Sequence, residues 1–359
     1  MSVRSYSLSD ILRHQRLARY ATRLDPEYHL LLSHTPFRAA LAILLPWLLP
    51  GVTTYTLVQQ RNGLAHSGFL ELFVPSSDSR ARVLTLMPAL DAPAGHPAAW
   101  QKLIVHGAQE LAQRGITRLL AQVPDQPLPV QTFKQVGFQL YTHQTVWRRV
   151  HSAPPRPVPP DALRPAAPED TWALARLLRR ITPPAVWEAE QAVEALEGSA
   201  QAFGLERLGS PFHRVHSEIH VLARQAEIRA ALRVDRGPRG VWLHLWVDPL
   251  DRDPSDAHLV LGYGLVQARS SRPGRPVYIG LREDQQGLRS LLHGYGFVPF
   301  TDRACMVRPL VQRVERRARR LLADLVAEAL PGTLAIPQSR RLHWQETWES
   351  AQATVEPLA

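Results

Sequence analysis

The sequence predicts a mixed α/β protein built from two similar halves that follow one another along the 359-residue chain. The first observation is an internal similarity at a spacing of about 160 residues. LTLMPALD at 84–91 matches HLWVDPLD at 244–251, and Gly137-Phe138 matches Gly296-Phe297. The second is that both halves show the same order of expected helices and strands. Several matches in one order at nearly one spacing indicate duplication of a whole domain.

A proline-rich segment separates the two halves. Residues 151–161 read HSAPPRPVPPD and contain five prolines. Such a run favours extended polyproline II and acts as a stiff spacer. We therefore expect a first domain at 1–150, a linker at 151–161, a second domain at 162–310 and an extension at 311–359.

The expected elements of the first half begin with helices and continue with strands. Asn62-Gly63 between the first two strands is typical of a hairpin turn, and Gly115 marks the end of the long amphipathic helix. Helices are expected at 9–21, 28–45, 97–114 and 130–136, and strands at 53–59, 67–74, 82–87, 118–123 and 138–148.

The second half repeats this order, with three strands in the middle, a long helix after them, and a closing strand, short helix and strand. Helices are expected at 170–181, 187–196, 255–268 and 286–293, and strands at 219–224, 228–234, 241–247, 277–281 and 297–307. The result is a mixed sheet in each half, flanked by helices.

Composition excludes several classes of protein. Hydrophobic residues make up 45% and charged residues 21% of the chain, so widespread disorder is excluded. Cys305 is the single cysteine, which excludes an internal disulfide framework and a cysteine-based zinc site and fits a reducing cytoplasm. The longest apolar run, 39–50, is too short to cross the ~30 Å hydrocarbon layer. We expect a cytoplasmic protein without a membrane span.

The closing segments of both halves resemble the GNAT superfamily, the GCN5-related N-acetyltransferases. They read ITRLLAQVP…FKQVGFQLY at 116–141 and VYIGLRED…LLHGYGFVPF at 277–300. The resemblance covers nearly all of 1–310 as two tandem copies. It implies two GNAT-like acyl-CoA N-acyltransferase domains, acetyl-CoA as the acyl-donor substrate, no metal, and direct attack of an amine acceptor of unknown identity on the thioester.

The resemblance also implies contacts to the acyl-CoA at the end of each central strand and the start of each long helix. The matching positions are Trp246, Val247, Arg252 and Ser255 in the second half and Leu86, Met87 and Gly95 in the first. The superfamily's [QR]-x-x-G-x-[GA] phosphate loop is absent from both. In the first half Pro97 removes an N–H donor. In the second, aspartates flank Arg252 and repel a pyrophosphate.

The catalytic acid of the superfamily is also missing from its usual place. Phe133 and Leu292 stand where many members have a tyrosine that protonates the departing thiolate, and Tyr295 lies in the following turn. These departures leave an alternative function open, in which the chain is a catalytically degenerate GNAT-fold binding or scaffold module. Fold alone does not decide between the two.

His244 and Glu218 are the candidate catalytic residues, both in the second half. His244 alternates with Trp242 and Trp246 on one strand face, and its ordinary pKa suits a base at neutral pH. The alternative is a packed histidine. Leu84 is the aligned residue of the first half, which favours the second half as the active one. Glu218 is a candidate substrate-side carboxylate.

His216, Glu218 and His220 share a strand face, which leaves two other interpretations of Glu218. Two histidines and a carboxylate suit zinc. A polar strand face without a ligand explains the same pattern.

The C-terminal extension carries much of the net charge of +10. Residues 308–320 hold six arginines and one glutamate, hence +5 (6 − 1). An apolar stripe follows over 311–330. The pattern predicts an amphipathic helix packed on the protein. Docking on nucleic acid, an acidic partner or a membrane surface are the alternatives.

Overall fold

The computed structural model describes ten stretches of the chain: 2–32, 52–61, 64–74, 79–150, 159, 162–190, 215–224, 227–248, 253–271 and 274–310. Several predicted features lie wholly or mainly outside these stretches. They are the helical extension over 311–330, the linker over 151–161 apart from Pro159, the residue Arg252 expected to contact phosphate, the turn at Asn62-Gly63, and most of the helices expected over 28–45 and 187–196. The docking of 308–320 on a partner stays a prediction.

Thirteen strands of the described residues form one mixed sheet. In the first half they are β1 (Ser2–Ser5), β2 (Thr22–Arg23), β3 (Val52–Arg61), β4 (Leu64–Phe73), β5 (Arg80–Met87), β6 (Arg118–Pro124) and β7 (Gln139–Arg149). In the second half they are β8 (Arg164–Pro165), β9 (His216–Arg224), β10 (Glu227–Arg236), β11 (Val241–Trp246), β12 (Val277–Arg282) and β13 (Val298–Pro309).

The α-helices of the described residues follow the expected order in both halves. They are α1 (Ile11–Leu17), α2 (Pro26–Leu31), α3 (Pro97–Gln113), α4 (Pro127–Gln135), α5 (Thr171–Ile181), α6 (Pro184–Glu190), α7 (Ser255–Ser271) and α8 (Arg289–Gly294). The mixed α/β class is thereby confirmed. None of the helices in the described stretches is long and apolar enough to cross a membrane.

The two long helices, α3 and α7, pack on the sheet in the same way. The apolar face of α3 buries Trp100, Leu103, Ile104 and Leu111 completely, as its 3-4-7 spacing predicts. Burial of such side chains is worth about 1.5–3 kcal/mol each. On α7, a Cβ at Gly264 would lie 3.1 Å from Leu232 and Leu243 side-chain atoms, so glycine permits close approach there.

The last strands of the two halves are exchanged between the halves. The sheet order is β1-β3-β4-β5-β6-β13-β7-β12-β11-β10-β9-β8, with β2 beside β5. β13, from the second half, pairs with β6 of the first, while β7, from the first half, pairs with β12 of the second. β7 and β13 also pair with each other, antiparallel, with Gln144 opposite Arg303. The two halves are therefore joined by one continuous sheet.

The turns that precede β7 and β13 each lie beside the last strand of the other half. Gly137 and Gly296 both adopt a positive φ, +87° and +79°, which glycine tolerates best. A Cβ on Gly137 would lie 3.7 Å from Nε of Arg308, and one on Gly296 would lie 3.8 Å from Nε of Arg149. Each glycine turn thus contacts an arginine at the end of the other half's last strand.

An ion pair near the start of each half repeats at the same spacing. Arg4 donates two hydrogen bonds to Asp10, at 2.8 and 2.7 Å, and Arg164 donates two to Asp170, at 2.6 and 2.8 Å. In both cases a backbone N–H three residues before the aspartate also donates to it. This equivalence of individual contacts supports the duplication that the sequence indicates.

Three departures from the expected elements lie near the N-terminus. The helix expected over 9–21 is the shorter α1, flanked by single 3₁₀ turns at Leu8–Asp10 and Ala18–Tyr20. Strand β1 was not expected. The two-residue strand β2 was not expected either, because a pair of residues carries no periodicity.

Candidate active site

Each half contains one pair of neighbouring parallel strands whose pairing stops after three residues. In the first half β5 and β6 pair over Arg80–Arg82 and Arg118–Leu120. In the second, β11 and β12 pair over Val241–Leu243 and Val277–Ile279. The strand ends beyond these residues do not pair with each other. In the superfamily that this chain resembles, such a gap receives the pantetheine arm of the acyl-CoA.

In the first half, the chain itself fills this gap. β2 pairs with Thr85 and Leu86 of β5. The Leu24 N–H donates to the carbonyl of Leu84 at 2.8 Å, and the Leu24 carbonyl accepts from the Gln122 N–H of β6 at 3.0 Å. The Leu24 side chain is fully buried. The backbone groups that a pantetheine arm would use are therefore already bonded to protein.

The three first-half residues predicted to contact acyl-CoA all have structural partners. Leu86 pairs with Thr22 of β2, and Met87 packs in a buried cluster with Tyr6 and Phe69. Gly95 lies in a tight turn, where a Cβ would come 2.2 Å from the carbonyl oxygen of Ala89.

In the second half, no segment within the described stretches pairs with 244–246 on the side of β12. A cavity of about 370 Å³ opens where β11 and β12 end. Its wall is formed by residues that follow each strand and by the first turn of α7. They include Val247, Asp253, Ala257, His258, Leu291 and Tyr295. The second half thus has a cavity beside the end of β11, lined by Val247 and Asp248, whereas the gap of the first half is filled.

The start of α7 already holds a carboxylate. The backbone N–H and the hydroxyl of Ser255 both donate to Asp253 at 2.9 Å, and these bonds lower the Asp253 pKa. Asp256, in the first turn, pairs with Arg224 at 2.7 Å. Helix N-termini attract anions. Here Asp253 occupies part of that site, so a pyrophosphate would have to displace or share it.

His244 lies on β11 immediately after Leu243, the last residue that pairs with β12, and its ring lies between two carboxylates. Its Nε2 is 3.0 Å from Oδ2 of Asp235, on β10, and 3.2 Å from Oε1 of Glu27, on α2. Burial lowers the pKa of His244, but the two carboxylates outweigh it and raise the pKa to about 9. The raised pKa favours the imidazolium, which donates hydrogen bonds to these carboxylates, and the role of His244 as a base stays a prediction.

Asp235 is fully buried, and its second oxygen is also engaged. Oδ1 accepts from Nε of Arg233 at 2.9 Å and from the Ser217 hydroxyl. Burial raises the pKa of Asp235, but Arg233 and His244 outweigh it and hold the pKa well below its ordinary value. The carboxylate is thus ionised and fixed in orientation.

Glu218 and His244 lie on opposite faces of the sheet. Glu218 is opposite Val234, and His244 is opposite Arg233, on the same strand. Because consecutive residues of a strand point to opposite faces, the two candidate catalytic residues are not brought together.

Glu218 is instead part of a cationic cluster on its own face. It accepts from Arg236 at 2.7 Å and from His216 at 2.9 Å. Burial raises the pKa of Glu218, but these partners outweigh it and lower the pKa to about 2.

The other second-half residues that were predicted to contact acyl-CoA differ in whether they line the cavity. Trp246 packs against the α5 cluster that includes Leu174 and Leu177. Val247 lines the cavity, whereas Ser255, which is bonded to Asp253, is not among the residues that line it.

Sequence analysis missed two residues of this region, Glu27 and Asp235, and assigned no role to a third, Tyr295. Glu27 reaches His244 from the other half, and Asp235 from a neighbouring strand, so tertiary contact alone reveals them. The Tyr295 hydroxyl lies 3.3 Å from Nδ1 of His258 at the cavity wall. Its place in the turn before Gly296 was the available signal.

Comparison with known proteins gives structural likenesses at low identity. No protein-family model and no curated protein matches the chain. A tandem GNAT protein from the clavulanic acid biosynthesis pathway is 15% identical, with a TM-score of 0.44 over 73% of this chain and 84% of that one. A GCN5-related N-acetyltransferase from Sphaerobacter thermophilus is 13% identical, with a TM-score of 0.47 over 86% and 95%. A putative acetyltransferase from Pyrococcus horikoshii is 14% identical, with a TM-score of 0.45 over 86% and 89%.

The fold itself repeats the features on which the sequence-based resemblance depends. Both halves have three antiparallel strands, a long helix, a parallel strand whose pairing stops early, and a short helix with a Gly-Phe turn into the last strand. The order of elements in each half therefore resembles that of a GNAT domain.

Proposed function

We propose that this protein is an acyl-CoA-dependent N-acyltransferase, transferring an acetyl group to an amine acceptor, and that its acyl-CoA site is in the second half. The contrast between the two gaps carries the proposal. In the first half Leu24 is bonded to both strands, while in the second half a cavity of about 370 Å³ lies beside Val247, the residue directly after β11. The first half then acts as structural support.

The reaction in this proposal is direct transfer. The amine nitrogen attacks the thioester carbon, the carbon–sulfur bond breaks, and CoA leaves as the thiolate. The nitrogen loses one proton to a base and the thiolate gains one from an acid. Tyr295, at the cavity wall and hydrogen-bonded to His258, has a hydroxyl that can supply that proton.

The residues predicted from the sequence take unequal parts in this proposal. Val247, Ser255 and Arg252 are assigned to the acyl-CoA, and Trp246 to its strand. His244 is beside the gap but carries a proton at neutral pH, so it acts as a hydrogen-bond donor there. Glu218 faces away from His244 and is assigned to the Arg236 cluster. A cytoplasmic location stays an expectation from the single cysteine.

Calorimetric titration with acetyl-CoA tests the proposal. We expect one binding site per chain, with a Kd below about 1 mM. Gly294 ends α8 at the cavity, and a Cβ there meets nothing within 4 Å, so Gly294→Trp adds bulk without a backbone clash. This variant should weaken binding at least tenfold. Gln135→Trp, at the same place at the end of α4 in the first half, is the matched control and should bind normally.

The alternative function is a degenerate binding or scaffold module, and one observation favours it. Asp253 occupies donors at the start of α7, and Asp248 and Asp256 also line the cavity. These carboxylates repel a pyrophosphate. If wild-type protein binds neither acetyl-CoA nor CoA at millimolar concentration, the transferase proposal fails. The module then becomes the better account. Arg252→Ala should weaken binding by about 1.5–3 kcal/mol in the transferase case.

A further inference from the structure

The contact between the two halves at Glu27, Asp235 and His244 contains donors of the types that bind a transition metal. One donor atom of each residue lies within 4.8 Å of the other two. Two of the separations, 3.0 and 3.2 Å from Nε2 of His244, are slightly shorter than the roughly 3.3 Å between tetrahedral ligands with bonds of about 2.0 Å, so a small outward shift of each side chain admits the ion. We propose that these three side chains bind a zinc-like divalent cation at the junction of the halves.

The surroundings of Asp235 prepare one of its oxygens for this role. Arg233 and Ser217 both bond to Oδ1, which leaves Oδ2 directed at His244. In metal sites, hydrogen bonds commonly hold the carboxylate oxygen that does not bind the ion, and they thereby orient the oxygen that does. The positive charge of the Arg233 guanidinium repels the cation. The negative charges of Asp235 and Glu27, which both face the proposed site, outnumber it. Binding requires the imidazole nitrogen to exchange its proton for the metal.

The site is partly open, as an exchangeable metal requires. The His244 side chain is 28% exposed and that of Glu27 is 14% exposed, while Asp235 is fully buried. Three protein ligands leave a fourth position for water. The first half has Leu84 at the position aligned with His244, so it supplies no equivalent donor. One ion per chain is expected.

The competing histidine cluster on the opposite sheet face is built differently. There Glu218 is already bonded to a cation, because Nη1 of Arg236 lies 2.7 Å from its Oε2, while His216 takes Oε1. A metal bound by this cluster would have to displace Arg236 from Glu218. His216 is therefore the matched control, since it is the exposed histidine of a cluster containing the same ligand types.

The test is zinc titration of the chelator-treated full chain in competition with a chromophoric zinc indicator. We expect one zinc per chain for the wild type and for His216→Ala, and at least tenfold weaker binding for His244→Ala and Glu27→Gln. Mg²⁺ should not compete, because imidazole is a poor ligand for it. Zinc should also raise the Tm of the wild type and not that of Glu27→Gln.

Two results would overturn the proposal. The first is wild-type binding no tighter than about 100 μM. The second is unchanged affinity in Glu27→Gln, a conservative change whose fold is checked by circular dichroism. Loss of binding in His216→Ala alone would instead assign the zinc to the other cluster. No acyl-CoA is present in the experiment, so its outcome is independent of the transferase proposal.

Discussion

At the scale of single residues, strand register determines what each polar side chain can do. Glu218 and His244 both follow the alternation expected of strands, and each was identified from the sequence as a chemically capable residue. The sequence does not give the pairing of β9, β10 and β11, which places them on opposite faces. Their partners, Arg236 and Asp235, come from the strand between them, and these partners set the ionisation of each.

The Glu218–Arg236 contact predicts a specific sensitivity to acid. The folded-state pKa of Glu218 is lowered to about 2, so its stabilising contribution is present above the ordinary value near 4.5. It is lost as the pH falls through that window toward 2. We expect the free energy of unfolding, measured in urea, to fall more between pH 5 and pH 2.5 in the wild type than in Arg236→Gln.

Arg180→Gln is the control for this measurement. Arg180 pairs at 3.6 Å with Glu227, on the same strand as Arg236, but both side chains are more than 40% exposed. Exposed pairs contribute little. The acid-dependent loss of unfolding free energy in Arg180→Gln should therefore match that of the wild type. An equal loss in Arg236→Gln and the wild type would show that Arg236 does not lower the pKa of Glu218.

At the scale of elements, long periodic segments were predictable and short contacts were not. The helix expected over 97–114 is α3, and β3 and β4 pair antiparallel on either side of the turn expected at Asn62-Gly63, with Arg61 opposite Leu64. β2 has two residues, too few for a period, yet it fills the gap of the first half. The acyl-CoA contacts expected at Leu86 and Met87 rested on alignment with the superfamily, and alignment does not reveal a segment from elsewhere in the chain.

Gly95 tests whether the first-half loop is structural. Gly95→Ala should lower the free energy of unfolding by about 1–3 kcal/mol, because its Cβ would collide with the backbone at Ala89 and Leu90. Acetyl-CoA affinity should not change, since the neighbouring gap is filled. Gly294→Ala, where a Cβ meets nothing within 4 Å, should leave stability within about 0.5 kcal/mol. A loss of acetyl-CoA affinity in Gly95→Ala would return a ligand-binding role to the first half.

At the scale of the whole molecule, the duplication was visible in the sequence and the exchange of strands was not. Both β7 and β13 follow a Gly-Phe turn, and the sequence pattern of each strand is compatible with either neighbour. Their partners depend on the arrangement of both halves together. An isolated first half would expose the edge of β6 that β13 covers and both edges of β7, and unpaired edges promote association.

Cleavage between the halves tests the exchange. Residues 152–157 are replaced by a protease recognition sequence, and the cut protein is passed over a sizing column. We expect the two pieces to elute together in native buffer and to separate in denaturant, because each contributes its last strand to the other's side of the sheet. The uncut chain should unfold in one transition seen equally by circular dichroism and tryptophan fluorescence. Pieces that separate in native buffer, each retaining its circular dichroism spectrum, would mean that each half closes its own sheet.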